Sequence, residues 1–136
     1  MLRLLAAGAA LILPLAVQAQ QTIKVGVLLT LSGQFADAAA QMDNGIKTYM
    51  KQHGDTVAGK KIEIVRKDVG GPAPDVAKRL AQELVVRDRV DMLAGFTLTP
   101  NALAVADVSS EAKKFMVVMN AATSIVTAKS PYVVRT

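Results

Sequence analysis

From residue 22 onward the chain keeps switching between two hydrophobic periods, and that alternation limits its fold more than any other feature. "TIKVGVLLT" (Thr22–Thr30) is β-branched and apolar, with the length of a buried strand. The helical period follows in "AAAQMDNGIKTYMKQH", where Ala39, Met42, Ile46, Tyr49 and Met50 recur three and four residues apart. "KKIEIVRKDV" sets Ile62 and Ile64 against Glu63 and Arg66, which predicts a strand with one less buried face, near a sheet edge. After the breaker run "GGPAP", the segment "DVAKRLAQELVVRD" opens with Asp75 in the cap position and lines Val76, Leu80 and Leu84 along one helical face. "VDMLAG" and "FMVVMN" predict two further buried strands on either side of the helix "PNALAVADVSSEAKK". Between these, "GDTVAGK" reads as a turn, "AATSIVTAKS" as a loop or short helix, and "YVVRT" as a final extended piece.

Strands that alternate with helices in this way form an α/β fold, an open parallel sheet with helices on both faces. Right-handed crossovers bring every strand's carboxyl end to one edge, and open α/β sheets bind their ligands outside that edge. Three loops leave it with similar composition: "TLSGQF" (Thr30–Phe35), "GFTLTPN" (Gly95–Asn101) and "NAATS" (Asn120–Ser124). Each offers hydroxyls, small residues that let backbone N–H groups approach a ligand, or a helix start behind it. Thr99 reads as the N-cap of the third helix, with Pro100 in its first turn. Taken together, the loops form a neutral donor surface suited to a carboxylate, because hydrogen bonds to a charged group contribute about 1.5–3 kcal/mol each.

Other chemistries find little support. Neither G-x-G-x-x-G nor G-x-x-x-x-G-K-[ST] occurs, so nothing encloses a pyrophosphate, and Asp68 reads as a loop-start residue. G-x-S-x-G is absent and the one histidine, His53, follows the polar end of the first helix, which leaves no basis for a triad. One histidine and no cysteine make a zinc site improbable, and no catalytic residue, metal or cofactor is expected. The formal net charge of +5 is spread singly, with 4% aromatic residues, so no nucleic-acid partner is expected.

The first residues stand apart. "MLR" supplies a charged start, "LLAAGAALILPLAV" an apolar run broken at Pro14, and Val17 and Ala19 the small residues of a cleavage site. This predicts a secretory signal peptide over residues 1–19, cleaved after Ala19, and an exported chain from residue 20 to residue 136. The apolar run is shorter than the roughly 18 residues a membrane span needs. With no cysteine, the exported domain must be held by its core alone.

"IKVGVLLTLSGQFA", "GKKIEIVRKD", "AQELVVRDRVDMLAGF", "NAATS" and "SPYVVRT" together resemble the first lobe of the leucine/isoleucine/valine-binding family, the type I periplasmic substrate-binding proteins of ABC importers. The resemblance runs from about Ile23 to Thr136. It implies a two-lobe protein that closes on a small carboxylate-bearing solute (a branched-chain amino acid, an amide or an aromatic acid), a periplasmic location, and membrane permease subunits as partners. Carried over by position, it implies that Thr99 and Thr123 contact the carboxylate through hydroxyls, beside a backbone contact at Ala121 or Ala122. Ser32, Gly33 and Phe35 match the loop bordering the ligand side chain, and Thr97 belongs to the loop of Thr99. The loop "TLTPN" replaces the serine run common in binders of branched-chain amino acids, and Asn120 stands where serine-proline is common. The resemblance also implies that the sequence stops where the family crosses into its second lobe, so weak affinity is expected of this lobe alone. A ligand-sensing receptor domain on the same fold is the alternative reading.

Overall fold

The computed structural model describes residues 21–136; the expected signal peptide lies outside the described residues. The order of elements is β1 (Thr22–Leu29), α1 (Ala36–His53), β2 (Thr56–Val57), β3 (Lys60–Asp68), α2 (Pro74–Val86), β4 (Met92–Gly95), α3 (Thr99–Ala112), β5 (Phe115–Val118), α4 (Ile125–Lys129) and β6 (Val133–Arg135), with a 3-10 turn at Gly33–Phe35 leading into α1. The expected alternation is therefore present. The "GDTVAGK" turn additionally carries the two-residue strand β2, which pairs antiparallel with β3.

The six strands form one sheet in the order β2-β3-β1-β4-β5-β6, and every pairing except β2 with β3 is parallel. β3 lies next to the edge, in keeping with its charged alternation. The period-2 rule then sorts the strand side chains by face. Leu28, Leu93, Met116, Val118 and Val133 are buried with Leu80, Leu84, Val105 and Val126, so α2, α3 and α4 cover one face. Val27, Leu29 and Ala94 pack with Ala39 and, less buried, with Met42, Ile46 and Ile64, so α1 covers the other. The helices thus lie on both faces, as expected.

Three local expectations need correction. Asp75 is not the cap of α2: Ala73 is, and Pro74 opens the helix, leaving Asp75 in the first turn, where a carboxylate still opposes the helix dipole. Thr99 is likewise the first helical residue of α3, and the cap position belongs to Leu98. In both cases no side chain caps the helix; a proline in the first two positions sets the start instead. Tyr49 does not join the buried face of α1. It is 61% exposed and stacks on His53, with ring centroids 4.2 Å apart.

Two glycines are dictated by packing. A Cβ on Gly95, where φ is +110°, would lie 2.4 Å from the carbonyl oxygen of Leu28 in the neighbouring strand. On Gly26 it would meet the Leu84 side chain of α2 at 2.9 Å, so the helix sits directly on that strand.

Candidate functional site

The strand order places β1 between β3 and β4. The chain leaves β1 toward β3 on one side and reaches β4 on the other, so the strand order reverses between β1 and β4, the place where open α/β sheets form a ligand crevice at the strands' carboxyl ends. Those are two of the three hydroxyl-bearing loops. The third follows β5, the next strand over.

The loops are joined at their roots. Gly95 and Phe96 both have positive φ and turn the chain sharply out of β4. In that turn Phe96 donates its N–H to the Leu28 carbonyl at 2.8 Å, and its own carbonyl accepts from Ala121 at 3.0 Å. Met119 donates to the Gly95 carbonyl at 2.8 Å. The Phe96 ring is buried and packs beneath the loop in the α2–α3 core, so it adds no aromatic surface to the rim. Thr97 is buried as well: its hydroxyl oxygen accepts the N–H of Thr30 at 3.4 Å, and its carbonyl accepts from the Asn120 side chain at 2.8 Å.

The remaining expected residues, apart from Ala121, are more exposed. Thr99, partly exposed, starts α3, where Pro100 has no N–H to contribute. Thr123 is partly exposed; its hydroxyl oxygen accepts the Ile125 N–H at 3.3 Å, which leaves the hydroxyl proton to donate elsewhere. Ala121 is buried with its N–H committed to Phe96, which narrows the expected backbone contact to the exposed Ala122. Ser32 and Gly33 are exposed, and Phe35 is partly exposed at the junction with α1. Ser32, Gly33, Phe35, Thr99, Ala122 and Thr123 are thus at least partly exposed on the loops after β1, β4 and β5, while Thr97 and Ala121 are spent on holding those loops to one another.

Two further residues shape this edge. The Asp68 carboxylate accepts the N–H groups of Leu31 at 2.8 Å and of Gly70 at 2.9 Å, tying the β1 loop to the end of β3. Partial burial alone would push this carboxyl up. The Ser32 hydroxyl and the N–H groups of Gly70 and Leu31 outweigh it and hold the group below the usual carboxylate range. Asn101, buried in the first turn of α3, accepts the Ala73 N–H at 3.0 Å and donates to the Gly71 carbonyl at 2.8 Å. Sequence reasoning placed Asp68 at a loop start and passed over the side chain of Asn101. Asp68 stands two residues before the Gly-Pro run, and Asn101 directly follows Pro100 in the first turn of α3.

Among the described residues, no three His, Asp or Glu side chains gather as metal ligands. An apolar groove of about 380 Å³ between α1 and the β2–β3 hairpin is lined by Ile46, Tyr49, Met50, Val57, Ile62 and Ile64 and holds none of the expected site residues. The rim itself presents hydroxyls and backbone groups, the means of holding an anion without an opposing charge.

Comparison with known proteins agrees with this fold. A family described as periplasmic binding protein matches residues 22–136. A leucine/isoleucine/valine-binding protein homolog of Brucella abortus is 48% identical over 114 residues, 84% of this chain and 29% of that protein. A solute-binding protein of an ABC transporter from Rhodopseudomonas palustris BisB5, in complex with 3,4-dihydroxybenzoic acid, is 54% identical with a TM-score of 0.81, over 84% of this chain and 31% of its own. Another from R. palustris, in complex with 4-hydroxybenzoate, is 49% identical with a TM-score of 0.82, over 85% of this chain and 31% of its own. The chain spans less than a third of the length of each of these relatives. By its fold and by the residues matched, the chain belongs to the periplasmic binding protein family.

Proposed function

We propose that this chain is the ligand-holding lobe of an exported, periplasmic solute-binding protein that captures a small carboxylate-bearing solute for an ABC importer and releases it unchanged to membrane permease subunits. One observation supports the reading: the hydroxyl-bearing loops after β1, β4 and β5 are hydrogen-bonded to one another at their roots, which favours their outer residues acting together at one edge. Thr99 and Thr123 supply hydroxyl donors, Ala122 a backbone donor, and the loop of Ser32, Gly33 and Phe35 borders the rest of the solute. Hydrogen bonds of this kind hold a carboxylate by about 1.5–3 kcal/mol each.

Among carboxylates, an aromatic acid is favoured. The relatives at 54% and 49% identity are complexes with 3,4-dihydroxybenzoic acid and 4-hydroxybenzoate, and Phe35 offers an aromatic edge at the rim. A thermal-shift series with 4-hydroxybenzoate, 3,4-dihydroxybenzoate and leucine, on this lobe joined to a relative's remaining chain, tests the class. Stabilisation by the hydroxybenzoates above that by leucine is the expected result. Stabilisation by leucine alone would move the ligand to the aliphatic amino acids, and conversion of any solute would remove the binding-protein reading.

A further inference from the structure

The β3–α2 loop, Val69–Ala73, contains none of the residues expected to meet the solute, yet both sides of the crevice are fastened to it. At one end Asp68 accepts from Leu31 and Gly70 through the same carboxylate oxygen, Oδ1. Gly33 sits so close that a Cβ there would be 2.9 Å from the Gly70 carbonyl oxygen, and a Cβ on Gly70 would be 3.6 Å from the Ser32 hydroxyl. Both glycines have positive φ, so the two loops interlock through conformations that other residues rarely adopt. At the other end Asn101 clasps Gly71 and Ala73 from the first turn of α3, and the Val69 N–H donates to the Leu29 carbonyl at 2.8 Å. The loop is thus rigidly framed by β1 and α3, whereas the Ser32–Phe35 turn contains no buried residue and has no side-chain cap bond of its own.

We propose that Asp68 is the positioning residue of the solute site: it fixes the Ser32–Phe35 turn against the β3–α2 loop, and so sets that turn's place relative to Thr99 on α3. This rests on the solute-binding reading above. The mechanism is preorganisation. A turn already held in its bound shape loses less conformational freedom when the solute arrives, and the saving appears as affinity.

Amide-resolved NMR on the 136-residue chain tests the proposal. Asp68→Ala is expected to raise hydrogen exchange at Leu31–Phe35 about tenfold or more, while amides of β4 and α2 stay at wild-type rates. Asp68→Asn keeps an oxygen acceptor of the same shape and is expected to restore most of the protection, which general loss of packing would not allow. In the wild type, the Leu31 and Gly70 amide shifts should titrate together as pH falls below about 4. A folded Asp68→Ala chain with wild-type exchange at Leu31–Phe35 overturns the proposal. So does the absence of that shared titration, which needs no variant to fold. Adding 4-hydroxybenzoate separates this idea from the binding reading: wild-type shifts at Thr99, Thr123 and Ser32–Phe35 that shrink at Ser32–Phe35 in Asp68→Ala support both. No shift anywhere in the wild type counts against that solute, and the exchange result still judges Asp68.

Discussion

Asp43 lies in the middle of α1, buried to 5% exposure, with Arg66 of β3 on one carboxylate oxygen and Lys47 on the other. Burial disfavours its charge, but Lys47 and Arg66 outweigh that and hold the carboxyl below its usual range. A lower folded value means that this contribution to stability is complete above the ordinary carboxylate range, near pH 4, and is lost as pH falls through the folded value. Asp43→Asn should therefore destabilise the chain at neutral pH by about 1–3 kcal/mol, less than a fully buried pair because Lys47 is mostly exposed. Urea melts at a series of pH values should show the variant's stability falling less steeply in acid than the wild type's. Thr123 provides a second test at this scale. In this chain joined to a relative's remaining sequence, Thr123→Val should weaken 4-hydroxybenzoate binding roughly tenfold to a hundredfold by calorimetry, or about 1.5–3 kcal/mol. Unchanged affinity would remove Thr123 from the carboxylate contacts.

At the scale of the element, the strands and helices were legible because each has a face that must be buried, and burial writes its period into the chain. Leu80 and Leu84 mark α2, and Val27 and Leu29 mark β1, without reference to anything distant. Helix starts were less legible. Asp75 and Thr99 have the chemistry of caps, but a proline beside each fixes the first turn sterically and moves the cap two residues earlier in α2 and one residue earlier in α3. The bridging residues of the site were illegible for another reason. Asn101 meets Gly71 across 30 positions and Asp68 meets Leu31 across 37, so neither role exists until the sheet has formed. Glycines can be sorted by the same logic. Gly95→Ala forces a Cβ into the backbone of Leu28 at an unfavourable φ and should cost about 3 kcal/mol or more. Gly26→Ala meets only the ends of the Leu84 and Leu93 side chains, which can move, and should cost about 1–2 kcal/mol. Chemical denaturation of the pair measures the ordering, and equal losses would contradict this account of the β4 exit.

Across the whole molecule, the two faces of the sheet are unequally covered. The β5–β6 register aligns Val117 with Val134 and Met116 with Val133. Met116 and Val133 are buried under α3 and α4, whereas Phe115 and Val134 on the opposite face are 45% and 41% exposed. An apolar patch beside an edge strand favours association between copies. Sedimentation velocity should show the average mass rising with concentration, and Val134→Lys should reduce that rise by placing a charge on the patch; a concentration-independent monomer would show that this surface is inert. The flanks of the sheet also differ. The β3 side is shielded in part by the β2 hairpin and carries Lys60, Lys61, Glu63, Arg66 and Lys67, while β6 has no strand beyond it among the described residues. A pairing of two copies through β6 uses that flank on both, so an association of this kind stops at two.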